Sequence, residues 1–181
     1  KCRPLRIVLE KFRPSKSQRK ALRRNHHIEL FVTRPCVTDE HVALFNLYHR
    51  DMAALRGWPE NVTSFQDYYE SFIGRPFDFA REFQYRKDGR LIGIGIVDVL
   101  KEGLSSVYFY HDPAWRKLSP GTFSILTEIE WAKSNSLKYS YLGYWIHENQ
   151  SMDYKARFTP HQLLEACVDY DEEPVWVPVT D

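Results

Sequence analysis

The chain has 181 residues, of which 43% are apolar and 27% charged, a balance typical of a folded globular domain and unlike that of a disordered or collagen-like chain. It has no apolar run near twenty residues, no signal-peptide pattern and only three cysteines, which favours a cytoplasmic protein with reduced thiols and no membrane partner. The net charge of +1 combines a charge of +9 over residues 1–34 with a charge of −6 over residues 165–181, and this separation favours a polyanion as partner.

Three helices and one strand are predicted in the first part of the chain, with starts near Lys16, Ile28, Thr38 and Ser64. Ser15 and Gln18 have the spacing of a capping box, which predicts a short basic helix over residues 16–24. Gly57 is expected to end the second helix, because glycine readily adopts the left-handed conformation that follows a last helical turn.

From Phe79 onward, β-branched and aromatic runs predict strands over residues 79–86, 91–99, 105–110, 138–143 and 175–177. The turn over residues 87–90 joins the first two of these strands as a hairpin. Ser119 followed by Pro120 predicts a helix start with a capping hydroxyl, and a long loop before it leads onto the free amides of that start. These elements predict an α+β fold with a mostly antiparallel sheet flanked by helices.

Several blocks of the chain resemble one protein family. The run FRPSKSQRK over residues 12–20 is similar to the signature F-x-P-S-[KR]-S-Q-[KR]-[KR] of the aminoacyl-tRNA–protein transferases, the family of arginyltransferases and bacterial aspartate/glutamate leucyltransferases. Further blocks follow in the family's order, at Asp98–Asp112, Leu118–Thr122, Tyr141–Ile146 and Met152–Phe158. Ordered blocks over residues 2–164 are far more specific than a single short motif.

The resemblance implies a GNAT-like acyltransferase core that transfers an aminoacyl group from charged tRNA to the α-amine of proteins with N-terminal Asp or Glu, marking them for degradation. Leucine is favoured over arginine as the donor, because the compact chain resembles the bacterial branch. Residues 1–34 are interpreted as the basic remnant of an N-terminal module, and residues 35–181 as the GNAT-like aminoacyl-transfer domain.

The resemblance also implies a departure at the N-terminus. Family members can hold a metal or an iron–sulfur centre at N-terminal cysteines, and Cys2 is the one such cysteine that this sequence retains. We therefore expect an N-terminally truncated chain, with Cys2 a remnant ligand and such a centre complete only in a longer chain. The transfer itself is expected to require no cofactor.

The expected reaction is the aminolysis of an ester, which needs a neutral amine, donors for the oxyanion and a proton for the leaving ribose hydroxyl. The candidate catalytic residues are Asp98, Asp112 and Tyr110. The 3′ end of the aminoacyl-tRNA is expected to contact Tyr108, Ser119, Gly121, Thr122, Tyr141 and Tyr144. The acceptor carboxylate is expected to bind Lys155 and Arg157. The tRNA phosphates are expected to meet Arg13, Lys16, Arg19, Lys20, Arg23 and Arg24.

Each of these roles has a purely structural alternative. Ser119 can be a simple helix cap, Asp112 a turn residue, the tyrosines core aromatics, and the basic run a solvated face. Two other functions also stay open. One is an acetyl-CoA-dependent GNAT N-acetyltransferase, which the absence of an R/Q-x-x-G-x-G/A loop counts against, and the other is a non-catalytic RNA-binding module.

Overall fold

The computed structural model describes residues 2–74, 77–146, 149, 152–169 and 171–179. These ranges contain four α-helices: α1 (Lys16–Arg24), α2 (Asp39–Arg56), α3 (Phe65–Phe72) and α4 (Pro120–Ser134). They contain eight strands: β1 (Cys2–Val8), β2 (Glu29–Thr33), β3 (Ala80–Lys87), β4 (Arg90–Val99), β5 (Gly103–His111), β6 (Tyr139–Ile146), β7 (His161–Leu164) and β8 (Trp176–Pro178). Two 3₁₀ helices cover Pro113–Leu118 and Asp153–Arg157.

The eight strands form one sheet in the order β2-β3-β4-β5-β6-β1-β7-β8. Neighbouring strands are antiparallel except β5 and β6, which are parallel and are connected through α4. This arrangement confirms the predicted α+β class and the mostly antiparallel sheet. In the ranges described, no helix is both long enough and apolar enough to cross a membrane.

The helix ends agree with the capping residues that the sequence predicts. At α1, the Gln18 amide donates to Ser15 Oγ (3.3 Å) and the Ser15 amide donates to Gln18 Oε1 (2.8 Å), which completes the capping box. The Thr38 hydroxyl caps α2 by accepting from the His41 amide. The same helix ends at Gly57, whose φ of 66° lies in the left-handed region that glycine adopts at little cost.

Helices cover the sheet on both faces, and each face has its own hydrophobic core. On one face α1 and α4 pack over the larger core, which includes Phe83, Trp115 and Leu126. On the other face α2 and α3 pack over a smaller core around Phe45 and Tyr110. Successive side chains of a strand point to opposite faces, so each strand contributes to both cores.

Some features differ from the prediction. Strands β1 and β7 are additional to the predicted strands, and Pro4 hides the short alternation of β1. The expected loop before Ser119 is largely a 3₁₀ helix. The predicted Ser119 cap is wrong: α4 does begin at Pro120, but Ser119 has a φ of 60° instead of the extended conformation of an N-cap, and its hydroxyl makes no capping hydrogen bond.

The basic segment contributes two strands to the common sheet. Strand β1 lies between β6 and β7, and β2 pairs with β3 at the far edge. Both strands are therefore built into the same sheet as the rest of the chain. The division at residue 34 into two sequence units stays a prediction.

Candidate active site

The parallel strands β5 and β6 separate partway along their length. They pair only where Gly103–Ser105 lies beside Tyr139–Tyr141. Just past this point each strand carries a bulge, because Val107 lies outside the register of β5 with β4 and Leu142 lies outside the register of β6 with β1. Gly143, with a φ of 73°, follows the second bulge. Bulges bend strands, so the two bulges account for the opening between β5 and β6.

A cavity of about 140 Å³ fills this opening, and we call it the β5–β6 cleft. Its walls come from β5, the first half of α4, β6 and the second 3₁₀ helix, and comprise Ser106, Val107, Tyr108, Phe109, Gly121, Ser124, Ile125, Glu128, Leu142, Tyr154 and Lys155. Two of these residues carry a charge, Glu128 and Lys155, and most of the others are apolar or aromatic. The cleft can therefore hold a small group that has both an apolar part and charged parts.

Glu128 is the buried acid of the β5–β6 cleft, with 2% of its surface exposed. Ser106 Oγ donates to Glu128 Oε2 at 2.5 Å, and Ser124 Oγ donates to Oε1 at 3.0 Å. Gly95 on β4 leaves room for this carboxyl, since a Cβ at that position would lie 3.4 Å from Oε1. Burial raises the pKa of Glu128 to about 7, although both serine hydrogen bonds favour the ionised form. The carboxyl therefore gains or loses its proton near neutral pH.

The second 3₁₀ helix places Lys155 in the lining of the cleft. Lys155 Nζ donates to the Tyr144 carbonyl at 2.8 Å, and burial lowers the pKa of this ammonium. Arg157, the other predicted acceptor-binding cation, is exposed, and its main-chain carbonyl accepts from Gln18 Nε2 at 3.1 Å. The structure thus places Lys155 in the cleft and Arg157 outside its lining.

The first turn of α4 reaches the cleft through Gly121. Pro120 has no N–H, and the Phe123 amide donates to the Ser119 carbonyl. Since the Ser119 hydroxyl does not cap the helix, the amides of Gly121 and Thr122 are available to a ligand. A Cβ on Gly121 would meet no atom within 4 Å, so open space lies in front of this turn.

The two predicted tyrosines of β5 both belong to the α2 face. Tyr108 also lines the cleft, and its hydroxyl lies 2.9 Å from His49 Nε2. Burial lowers the pKa of His49, which favours the neutral imidazole. Tyr110 is completely buried, with its hydroxyl 2.7 Å from that of Tyr68, and burial raises its pKa. Tyr110 therefore lies in the core of the α2 face.

Four other predicted residues lie outside the lining of the cleft. Asp98 is partly buried on β4, near the end where β5 and β6 are still paired, and burial raises its pKa. Asp112 is buried, caps the first 3₁₀ helix and accepts from Arg90 at 2.6 Å. Tyr141 lies in the last paired position of β6, and Tyr144 is 56% exposed. The proposed roles of these four side chains stay predictions.

The basic helix α1 is fixed at both ends to elements that border the cleft. Near its start, Gln18 donates to the carbonyl of Arg157 on the second 3₁₀ helix. At its end, the buried Asn25 donates to the Leu118 carbonyl (2.8 Å) and accepts from Trp115 Nε1 (2.7 Å), just before α4. The basic side chains predicted to meet tRNA are all exposed: Arg13, Lys16, Arg19, Lys20, Arg23 and Arg24.

One group of side chains in the described ranges has the composition of a metal site. It consists of Cys36, His41 and Glu82, whose ligand atoms lie within 4.8 Å of one another on the α2 face. His41 Nε2 and Glu82 Oε1 are in contact at 2.9 Å, and Gln84 donates to the same oxygen at 2.7 Å, so hydrogen bonds already satisfy this carboxylate. Cys2 is exposed at the start of β1 and belongs to no such group in these ranges, so the family's cysteine centre does not fit the residues described.

The sequence-based prediction missed Glu128, although a signal for it exists. Ile125, Ile129 and Ala132 form the buried stripe of α4, and Glu128 lies on that same stripe. An acid on the apolar face of a helix is rarely buried without a reason, which makes such a position a candidate for a site.

Comparison with known proteins connects this geometry to one family. The family described as "Arginine-tRNA-protein transferase, C terminus" matches residues 40–165. An aspartate/glutamate leucyltransferase of Helicobacter hepaticus is 37% identical over 175 residues, which cover 97% of this chain and 73% of that protein. A protein of the same name from Saccharophagus degradans is 36% identical over 164 residues, or 90% of this chain and 68% of that protein.

Solved structures resemble the chain in fold. L-PGS from Bacillus licheniformis gives a TM-score of 0.59 at 12% identity, over 82% of this chain and 46% of that one. A tandem GNAT protein from the clavulanic acid biosynthesis pathway gives 0.52 at 14% identity, over 86% and 48%. The ribosomal-protein-S18-alanine N-acetyltransferase from Escherichia coli gives 0.52 at 10% identity, over 84% and 96%. These likenesses confirm the predicted GNAT-like acyltransferase core.

Proposed function

The chain belongs to the aminoacyl-tRNA–protein transferase family and is an aminoacyltransferase, and we propose that it transfers leucine from charged tRNA to the α-amine of proteins that begin with Asp or Glu, marking them for degradation. The observation that carries the proposal is the β5–β6 cleft, which opens beside the exposed basic face of α1. The cleft suits one aminoacyl group and the basic face suits tRNA phosphates. Charged tRNA as the donor places the reaction in the cytoplasm.

The leucyl group of the donor fits the cleft through its apolar walls. Val107, Ile125 and Leu142 offer contacts to the leucyl side chain. The ester carbonyl would then lie toward the first turn of α4, where the amides of Gly121 and Thr122 can donate to the oxyanion that forms during transfer. The names of the relatives support leucine as the donor.

The reaction exchanges an ester for an amide. The lone pair of the acceptor amine attacks the ester carbonyl carbon, which forms the C–N bond and a tetrahedral oxyanion. Collapse of this intermediate breaks the C–O bond to the terminal ribose. The amine loses one proton and the ribose oxygen gains one, so atoms and electrons balance without a further reactant.

Lys155 is the cation best placed to recognise the acidic first residue of the acceptor. It lies in the cleft lining, and its ammonium is bonded to a main-chain carbonyl that a carboxylate can replace as the stronger acceptor. The catalytic roles predicted for Asp98, Asp112 and Tyr110 are not needed for this arrangement.

Transfer of labelled leucine tests the proposal directly. The chain is incubated with leucyl-tRNA or arginyl-tRNA and with two peptides that differ only in their first residue, Asp or Ala. We expect leucine to enter the Asp peptide and not the Ala peptide. Absence of transfer from either tRNA would refute the proposal, and acetylation of the peptide by acetyl-CoA would support the acetyltransferase alternative.

The basic face can be tested by charge reversal. The double variant Arg19→Glu with Arg23→Glu is expected to weaken binding of leucyl-tRNA at least about tenfold and to lower the salt dependence by roughly 0.7–0.9 per lost phosphate contact. The double variant Lys87→Glu with Lys101→Glu is the matched control, because both lysines are exposed and lie outside α1. Equal weakening in both variants would show an unspecific effect of net charge.

A further inference from the structure

Three acidic side chains are buried in the described part of the chain, and they differ in their partners. Glu82 contacts His41 Nε2 at 2.9 Å, and Asp112 contacts the guanidinium of Arg90 at 2.6 Å. Glu128 is held by two serine hydroxyls and forms no ion pair among the described residues. It is also the one of the three that lines the β5–β6 cleft.

A buried carboxylate without a cation is costly, because two neutral hydroxyls replace the water shell only in part. A ligand that brings a cation into the cleft would complete the pairing that the other two buried acids already have. We propose that Glu128 binds the α-ammonium group of the aminoacyl donor, so that the cleft selects donors with a free α-amine. This inference rests on the proposed leucyl transfer and adds which part of the donor is recognised.

The surroundings of Glu128 favour the donor over the acceptor as the source of the ammonium. A leucyl group carries its ammonium and its apolar side chain on one carbon atom, and the cleft places a carboxyl beside Ile125 and Leu142. A volume of about 140 Å³ suits one such residue. The acceptor amine belongs to a whole protein, and Lys155 in the same lining would repel that amine while it attracts the neighbouring carboxylate.

The protonation of Glu128 is consistent with this role. In the empty cleft burial raises its pKa to about 7, so the carboxyl is partly neutral at physiological pH. An approaching ammonium favours the ionised carboxyl and lowers that pKa again. Binding of the donor would therefore complete the ionisation of Glu128.

The test compares two donors that differ in one group. Leucyl-tRNA is compared with 2-hydroxyisocaproyl-tRNA, in which a hydroxyl replaces the α-amine. We expect the unmodified protein to use the hydroxyacyl donor at least about tenfold less well. The variant Glu128→Gln is expected to lower kcat/KM for leucyl-tRNA by about 10- to 100-fold and to leave the hydroxyacyl donor unchanged, so the preference disappears. Glu130→Gln, exposed on the same helix, is the matched control and should behave like the unmodified protein.

Two outcomes would overturn the inference: Glu128→Gln lowers transfer of both donors equally, or it changes neither. A second measurement on the unmodified protein does not depend on the folding of a variant. Leucinamide is expected to inhibit leucyl transfer, and 4-methylpentanamide, which lacks the amine, is not; equal inhibition by both would also overturn the inference. A protein that transfers no leucine at all would instead refute the proposed function, so the two failures are distinguishable.

Discussion

Replacement of Glu128 by glutamine is expected to stabilise the protein, and to do so only toward neutral and alkaline pH. Burial raises the pKa of this carboxyl from 4.5 to about 7. Below pH 4 the group is protonated in both the folded and the unfolded states, so it has no effect on stability. As the pH rises through 4.5 the unfolded state ionises first, so stability falls until about pH 7 and the loss is complete above it.

The size of this effect follows from the shift in pKa. Each tenfold change in proton affinity corresponds to about 1.4 kcal/mol, so the buried carboxyl destabilises the folded state by about 3 kcal/mol at pH 8. With 2% of its surface exposed, Glu128 is screened little by solvent. Glutamine has the same shape and can keep hydrogen bonds to Ser106 and Ser124, so it removes the charge without leaving a cavity.

Urea denaturation followed by tryptophan fluorescence measures the difference. We expect Glu128→Gln to exceed the unmodified protein in unfolding free energy by about 3 kcal/mol at pH 8 and by less than about 1 kcal/mol at pH 5. At pH 8 the urea midpoint should rise by about 1 M or more. Glu130→Gln should show no such pH dependence, because Glu130 is exposed. A Glu128→Gln variant of unchanged or lower stability at pH 8 would refute the reasoning.

Three further predictions concern the elements around the cleft. Asn25→Ala is expected to lower the unfolding free energy by about 2–4 kcal/mol, because the buried Trp115 N–H loses its acceptor, whereas the exposed cap variant Asn135→Ala should cost less than about 1 kcal/mol in the same urea assay. Gly121→Ala is expected to keep or slightly raise Tm, since its Cβ meets no atom within 4 Å, and to lower kcat/KM for leucyl-tRNA; unchanged transfer would place the donor elsewhere. Dialysis against EDTA is expected to leave Tm unchanged, since hydrogen bonds satisfy Glu82, and a fall in Tm that Zn²⁺ restores would contradict this.

The parts of the fold that the sequence predicts well depend on local chemistry. Ser15 and Ser64 start helices through capping boxes, each of which involves residues within one turn. The hairpin between β3 and β4 turns at Asp88 and Gly89, whose φ angles of 51° and 79° match the residue types that tolerate such a turn. Each of these features is decided by neighbours in the chain, so a single sequence is enough to predict it.

The cleft could not be predicted in the same way, because it depends on pairing between distant segments. The Val107 bulge exists relative to β4 and the Leu142 bulge relative to β1, a strand more than a hundred residues earlier in the chain. Strand β1 itself reads weakly, since Leu5 and Ile7 alternate with arginine over only a few residues. Residue types locate α4 and its buried stripe, but only the assembled sheet shows that Glu128 faces an opening.

Gln18 shows how a local signal and a distant contact meet in one side chain. Its Oε1 accepts from the Ser15 amide and completes the capping box, while its Nε2 donates to the Arg157 carbonyl. A glutamate would supply the first hydrogen bond and not the second, because a carboxylate has no N–H. The amide thus starts the basic helix and also ties it to the 3₁₀ helix that carries Lys155. The proposed tRNA-binding face and the proposed acceptor-binding cation are therefore held together by a side chain that helix capping alone would not require to be glutamine.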